Sequence, residues 1–227
     1  MVMTINDWPY HQYLFFELDD KFYRLASTRQ RELKRGLHDL LLQLNDDVPF
    51  IPYTTLGFKP GTTFMLWLRA GQPEAIQDAV RDLLRSRFGQ YLTLTRSLFG
   101  ISRQSQYARG PQNTDQSVLP SLRLPYLVIY PFTKTPDWHL MPYDQRHSLM
   151  REHISLGKKF SDIRQCLLYA YGVDDHEFIV SYETPTLDDF QQLVMDLRGI
   201  ESRRYTLNDL PIYTCIYKTP EEFIEWL

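Results

Sequence analysis

The chain has 227 residues, of which 43% are hydrophobic and 23% charged, and this ordinary composition excludes wholesale disorder. Its net charge of −3 provides no basic surface of the kind that binds nucleic acid or anionic lipid. Two cysteines, Cys166 and Cys215, are too few for a disulfide framework, and no apolar run approaches the roughly 20 residues of a membrane helix.

The N-terminal residues lack the basic start and apolar stretch of a signal peptide. We therefore expect a cytoplasmic chain with neither nucleic acid nor membrane as a partner. Aromatic residues are unusually frequent, with 15 Tyr, 13 Phe and 4 Trp. So many rings can build a sizeable core or line a pocket for a flat ligand.

The first half of the chain is predicted to follow the order β-α-β-β-α-β. Apolar residues at steps of three and four indicate the helices, and β-prone runs between turn residues indicate the strands. The predicted strands are 13–18, 51–58, 62–70 and 91–95. The first helix is capped by Ser27 or Thr28 and carries an apolar stripe over 33–44, and the second starts near Pro73.

The second half repeats this order. Its predicted strands are 126–132, 163–171, 177–183 and 212–217, and its helices are 142–160, a helix capped by Thr186, and 220–227. Each half is therefore typical of a ferredoxin-like unit, in which helices cover only one face of the sheet. Two fused copies can cover each other's open face, so we predict an α+β fold of the dimeric α/β barrel type.

A polar segment rich in Gln, Asn, Pro and Gly separates the two halves. Such composition is typical of a linker or a long surface connection. We accordingly predict an N-terminal half at 1–110, a connecting segment at 111–124 and a C-terminal half at 125–227.

His153 stands out among the six histidines because leucine, methionine and phenylalanine surround it at helical spacings. An imidazole on an apolar helix face is commonly a core residue, but it can also be a single axial ligand to haem. A zinc site is not favoured, because His147 and His153 are six residues apart and no H-E-x-x-H motif occurs.

Tyr130 and Lys134 lie at the end of a predicted strand, with Trp138 close behind. They can be a cross-strand aromatic and a surface lysine. Alternatively, Tyr130 supplies an oxidisable phenol and Lys134 a point charge for carboxylates. Phosphate-binding glycine loops and nucleophile elbows are absent from the sequence.

Several ordered motifs in the C-terminal half resemble the chlorite dismutase superfamily, which includes coproheme decarboxylases and related haem peroxidases. The matching stretches are Tyr130-Pro131-Phe132-Thr133-Lys134 with Trp138, Leu149-Met150-Arg151-Glu152-His153 with Gly157, residues 171–178, Leu197-Arg198 with Glu201, Arg204-Tyr205, and Asp209 with Pro211-Ile212-Tyr213-Thr214. The N-terminal half agrees with the superfamily mainly in the order of its elements.

The resemblance implies a duplicated ferredoxin-like fold, usually assembled as a homopentamer, with haem b or coproheme in the C-terminal half. His153 would ligate the iron, and Glu201 would accept a hydrogen bond from the other imidazole nitrogen. Lys134 would meet the porphyrin propionates, and Trp138 belongs to the same cofactor-binding stretch. Tyr107 and Arg103 are further candidates to reach propionates.

The resemblance also bears on the reaction. Chlorite dismutases carry a distal arginine, and the matching position here is either Gln165 or Cys166. A glutamine there resembles one group of coproheme decarboxylases, in which peroxide oxidises the iron and a tyrosine, here Tyr130, removes hydrogen from a propionate. Two such steps release carbon dioxide and yield haem b.

Two other functions remain open. The Thr214-Cys215-Ile216 ending and the context of Trp138 are closer to the dismutase branch, which favours chlorite dismutation or weak peroxidase activity. A non-haem relative of the same barrel fold would instead act as an oligomeric scaffold, with His153 in a structural role.

Overall fold

The computed structural model describes residues 9–44, 47–107 and 122–227. The start of the chain and positions 111–121 of the predicted connecting segment lie outside these residues. The remainder divides into two compact units: unit 1 contains the residues up to Phe99 together with Thr214–Leu227, and unit 2 contains Gly100–Tyr213.

Unit 1 is an antiparallel sheet with helices packed on it. Its strands are β1 (Tyr10–Leu18), β2 (Phe50–Thr54), β3 (Phe64–Ala70), β4 (Leu92–Ile101, of which the last two residues belong to unit 2) and β9 (Tyr213–Tyr217, from its second residue). They lie in the order β4-β1-β3-β2-β9. The helices are α1 (Asp20–Tyr23), α2 (Ser27–Leu44), α3 (Pro73–Arg85) and α7 (Pro220–Trp226).

Alternation along the strands and a helical stripe on α2 together produce the core of unit 1. In β1, Leu14, Phe16 and Leu18 are buried on one face, and the Leu33, Leu37 and Leu41 stripe of α2 belongs to the same cluster. α7 adds Phe223, whose ring centroid lies 5.1 Å from that of Phe64. The C-terminal helix is therefore part of this core.

Unit 2 has the strands β5 (Tyr126–Lys134), β6 (Arg164–Tyr169), β7 (Phe178–Thr184) and β8 (Thr206–Asn208). β7 pairs antiparallel with both β5 and β6, and β8 pairs with the end of β5. The helices are α4 (Pro136–Leu140), α5 (Tyr143–Gly157) and α6 (Leu187–Arg198), followed by a 3-10 helix at Glu201–Tyr205. Thr186 caps α6 as predicted, its hydroxyl accepting from the Asp189 backbone N–H at 3.2 Å.

The α+β, duplicated ferredoxin-like fold predicted from the sequence is confirmed by the observed elements and by the structural relatives described below. The unit boundaries differ from the predicted division in two respects. Residues 100–107 were assigned to the N-terminal half but belong to unit 2. Residues 214–227 were assigned to the C-terminal half, whereas β9 pairs with β2 through Tyr53 and Tyr217, which places this segment in unit 1. The division into two sequence repeats with a connecting segment stays a prediction.

Among the described residues, no helix combines the length and apolarity needed to cross a bilayer.

Candidate haem site

A cavity of about 490 Å³ lies within unit 2. This volume falls in the range of about 300–1,000 Å³ typical of small-molecule sites. One wall is the sheet and the other is formed by α5 and α6. The cavity exists because α5 does not close onto the sheet: every one of its residues retains some solvent exposure, whereas α2 of unit 1 buries three leucines.

Strand register determines which side chains form the sheet wall. Gln165 pairs with Tyr182, Leu167 with Val180, and Tyr169 with Phe178 across β6 and β7. All six side chains line the cavity, as do Tyr130 and Phe132 of the neighbouring β5. Since alternate residues of a strand point to opposite faces, this single face carries the whole set.

The same register decides between the two candidates for the distal position. Gln165 lines the cavity, whereas Cys166 is buried and is not among the cavity residues in the part of the chain described. Arg164 also points away from Gln165, toward the Glu183 carboxylate at 3.7 Å. Of these two residues, the uncharged amide of Gln165 is therefore the one that faces the cavity.

The helical wall places His153 opposite the sheet. α5 contributes Arg146, Met150 and His153, which are four and three residues apart and so share one face of the helix. Burial, together with the charge of Lys134, lowers the pKa of His153 to about 4. The imidazole is thus neutral at physiological pH, and within the described residues no hydrogen bond occupies its nitrogens. A neutral imidazole with an available nitrogen is the form that ligates metals.

Tyr130 lies in the sheet wall beside Tyr182, and both rings line the cavity. The centroids of the two rings are 6.2 Å apart, and the angle between the ring planes is 28°. Burial raises the pKa of Tyr130, so the phenol keeps its proton at neutral pH. Tyr182 is a partner that the sequence analysis did not identify. Its place opposite Gln165 follows only from the strand register.

Lys134 and Trp138 lie next to each other at the cavity wall. The Lys134 ammonium is 4.6 Å from the centroid of the Trp138 ring and 3.3 Å from the Thr206 hydroxyl oxygen. Burial, and secondarily the charge of Arg203, lowers the pKa of Lys134 to about 8, against the opposing effect of Glu177. The group remains mostly cationic at neutral pH.

Positive charge predominates around the cavity. The cationic side chains that line it are Arg103, Lys134, Arg146, Arg198 and Arg203. The single lining carboxylate in the described part of the chain, Asp209, is bound by Arg198 at 2.6 Å and by Arg203 at 3.3 Å. The buried Nε atom of Arg146 has no hydrogen-bond acceptor among the described residues. The cavity is thus suited to a ligand that carries anionic groups.

Glu201 differs from the other candidate residues. It begins the 3-10 helix whose next residues, Ser202 and Arg203, line the cavity, but it is not itself a lining residue in the described structure. Its carboxylate accepts a hydrogen bond from Arg204 Nε at 3.0 Å, on the exposed side of that helix. Tyr107 and Arg103, named as further candidates, do line the cavity.

The cavity residues fit an iron porphyrin. Aromatic and aliphatic walls accommodate a flat apolar ring, the cations suit its carboxylates, and His153 offers one imidazole nitrogen from the helical wall. A site for a bare metal ion is a poorer interpretation, since no cluster of three or more His, Cys, Asp or Glu side chains suited to one occurs among the described residues.

Comparisons with known proteins agree with this interpretation. The family model for chlorite dismutase matches residues 30–218. The coproheme decarboxylase of Mycolicibacterium smegmatis is 26% identical over 168 residues, covering 71% of this chain and 70% of that protein. The coproheme decarboxylase of Staphylococcus carnosus is 26% identical, covering 98% and 96% of the two chains.

The fold itself is shared with solved structures. A variant of chlorite dismutase from Candidatus Nitrospira defluvii superposes with a TM-score of 0.87 at 22% identity, covering 96% of this chain and 94% of that one. Because the family model spans most of the sequence, the resemblance inferred from the motifs is confirmed. The chain belongs to the chlorite dismutase family.

Proposed function

We propose that the cavity binds coproheme and that the chain converts it to haem b by peroxide-dependent oxidative decarboxylation. The observation that carries this proposal is the partly buried Tyr130, which lies in the wall of the same cavity as His153. The two relatives named coproheme decarboxylase, one of which aligns over 98% of this chain, support it.

Each cavity residue has a role in this proposal. His153 would hold the iron, because its low pKa keeps the imidazole unprotonated. Lys134 and Arg146 bind ligand carboxylates, and the Trp138 ring supports the Lys134 side chain. The bound iron porphyrin would supply the one-electron oxidation chemistry that protein side chains lack.

Tyr130 is the proposed hydrogen acceptor. One peroxide would be the two-electron oxidant of each decarboxylation and would be reduced to water. One electron and a proton would leave Tyr130, whose phenoxyl oxygen would then take a hydrogen atom from the β-carbon of a propionate of the substrate. The second electron would leave the propionate as its C–C bond to the carboxylate breaks, which releases carbon dioxide and leaves a vinyl group. The neighbouring Tyr182 ring, whose centroid is 6.2 Å away, restricts the orientation of the Tyr130 ring. Gln165, as an uncharged amide, orients the oxidant or a propionate by hydrogen bonding without adding a further cation.

Glu201 remains the proposed partner of the second imidazole nitrogen of His153. Since its carboxylate is engaged by Arg204, this role requires the carboxylate to leave Arg204 when His153 binds iron. A carboxylate in that position would make the imidazole more electron-donating.

The proposal is tested by titrating the ligand-free protein with ferric coproheme and following the absorption spectrum. We expect a Soret shift that His153→Ala removes. Peroxide should then cause two successive losses of carbon dioxide, seen by mass analysis of the porphyrin, and Tyr130→Phe should stop them. Normal decarboxylation by the Phe variant would contradict the role of Tyr130. Absence of any shift would instead favour a non-haem scaffold.

Chlorite dismutation is a second candidate, favoured by the arginine-rich cavity and by Trp138 at its wall. Oxygen evolution from chlorite by the haem complex, without loss of carboxyl groups from coproheme, would support it over decarboxylation. Assembly as a homopentamer and a cytoplasmic location also belong to the proposal, and mass determination in solution tests the first.

A further inference from the structure

One carboxylate joins two elements at the wall of the cavity. Oε2 of Glu177 accepts a hydrogen bond from the backbone N–H of Lys134 at 2.7 Å, at the end of β5. Its other oxygen, Oε1, lies 2.8 Å from Nε2 of His139, on α4. Glu177 therefore holds the strand end and the following helix at the same time.

Glu177 is itself fixed by the turn between β6 and β7. Its carbonyl oxygen accepts from the Ala170 N–H at 2.8 Å, and the Ala170 carbonyl accepts from both Val173 and Asp174 at 3.1 Å. The turn requires the positive φ of 69° at Gly172, which only glycine adopts without strain. The Glu177 backbone is thus held by the hydrogen bonds of this turn.

Lys134 pairs with Thr206 of β8 on one side of β5, but the pairing with β7 on the other side does not reach it. The ladder between β5 and β7 ends at the Phe132–Phe178 pair, and the pairing of β5 with β8 changes register between Thr133 and Lys134. The Glu177 carboxylate accepts the Lys134 N–H at the point where the ladder with β7 has ended. A hydrogen bond from N–H to a carboxylate is stronger than the neutral bond that a ladder would provide.

An acid–base role for Glu177 is less consistent with the contacts. Both carboxylate oxygens are engaged, and within the described residues Glu177 does not line the cavity, whereas Lys134, Trp138 and His139 do. What Glu177 determines is the position of groups that reach the ligand.

We propose that Glu177 is a positioning residue: by tying the end of β5 to α4, it places the Lys134 ammonium and the Trp138 ring to receive a ligand carboxylate. We call the contacts of the Glu177 carboxylate with the Lys134 N–H and with His139 the clamp. The role at the ligand rests on the proposed porphyrin function, but the clamp itself is a property of the ligand-free protein.

The clamp is tested first without ligand, by amide hydrogen exchange at Lys134 measured by NMR. Glu177→Ala should accelerate exchange of this amide at least tenfold. Glu177→Gln should retain most protection, since its amide oxygen can still accept from the Lys134 N–H. Glu32→Ala, which removes a carboxylate bound by Arg29 and Arg87 in unit 1, is the matched control and should change nothing.

The second test compares ferric coproheme with its tetramethyl ester. Glu177→Ala should bind coproheme about tenfold more weakly and the ester as tightly as the wild type does, while Glu177→Gln stays within about threefold for both. Unchanged Lys134 exchange in Glu177→Ala, or equal losses for acid and ester, would overturn the positioning role. If the wild type binds neither porphyrin, the proposed function and the role at the ligand both fail, whereas exchange at Lys134 still reports whether the clamp exists.

Discussion

Lys134 carries a positive charge in a place where burial works against it. Its ammonium lies 5.8 Å from the centroid of the Phe132 ring and 4.6 Å from that of the Trp138 ring, and Arg203 adds a second nearby cation. These surroundings lower its pKa to about 8, so the charge on which a carboxylate ligand depends is held only weakly in the ligand-free protein. A bound carboxylate would favour the charged form and raise this pKa again.

This linkage predicts a pH dependence of binding. Affinity for coproheme should be full below about pH 8, the pKa of Lys134 in the free protein, and should fall as the pH rises further. Between pH 7 and pH 9 we expect a loss of up to about tenfold, measured by absorption titration. Lys134→Met should bind more weakly at pH 7 and lose most of this dependence. The same slope in the Met variant would show that another group is responsible.

Some residues of the cavity could be named as candidates from the sequence, whereas others required the strand register or the tertiary contacts. His153 stands out because a polar ring occupies an apolar helical stripe, and the motifs identify Tyr130, Lys134 and Trp138. The choice between Gln165 and Cys166 depended on register, which shifts a side chain to the other face for a slip of one residue. The contact between His139 and Glu177 joins residues 38 positions apart, so no local pattern indicates it.

Two glycines show how differently the elements of this fold are packed. Gly100, in β4, approaches β6 so closely that an added Cβ would lie 2.7 Å from the Cβ of Leu168. Gly36 lies on the exposed side of α2, and an added Cβ there would meet no atom within 4 Å. The same chemical change should therefore have opposite effects at these two positions.

We predict that Gly100→Ala lowers the free energy of unfolding by about 1–3 kcal/mol, because Leu168 belongs to a strand and cannot retreat freely. Gly36→Ala should raise it by about 0.5–1 kcal/mol, since alanine restricts the unfolded chain and suits a helix interior. Urea denaturation of both variants beside the wild type measures the difference. A Gly100→Ala protein as stable as the wild type would show that β4 and β6 are not in tight contact.

Two elements of the structure differ from the predicted ones, the strand β4 and the helix α4. β4 continues to Ile101, well beyond the predicted end at residue 95, because Leu98 and Gly100 continue the alternation of buried positions. The short helix α4 was not predicted. It begins with Pro136, whose fixed φ and missing N–H suit a first helical position, but its five residues are too few for a periodic pattern.

The two compact units draw on the chain in different ways. Unit 2 is the continuous segment Gly100–Tyr213, whereas unit 1 combines residues from both ends of the chain. The repeated order of elements was sufficient to predict the fold class, since each half shows its own β-α-β-β-α-β pattern. The assignment of the last segment was not predictable, because pairing of β9 with β2 joins residues more than 160 positions apart.

Phe223 tests how much unit 1 depends on that segment. Its side chain is fully buried against Phe64, so Phe223→Ala should cost about 3–5 kcal/mol of stability. Trp226→Ala, in the same helix but at a ring that is 37% exposed, should cost clearly less. Amide exchange in β3 should accelerate in the first variant and not in the second. Equal behaviour of the two would show that α7 contributes no specific core contact.

Unit 1 is built from two separate segments of the chain, and this has a consequence for biosynthesis. A ribosome finishes all of Gly100–Tyr213 before it adds the strand that borders β2 and the helix that carries Phe223. The segment whose residues line the cavity is thus entirely translated while the hydrophobic cluster of unit 1 still lacks the side chains of α7. Nascent chains halted just after residue 213 should therefore leave Phe64 accessible to chaperones until the remaining fourteen residues, Thr214–Leu227, emerge.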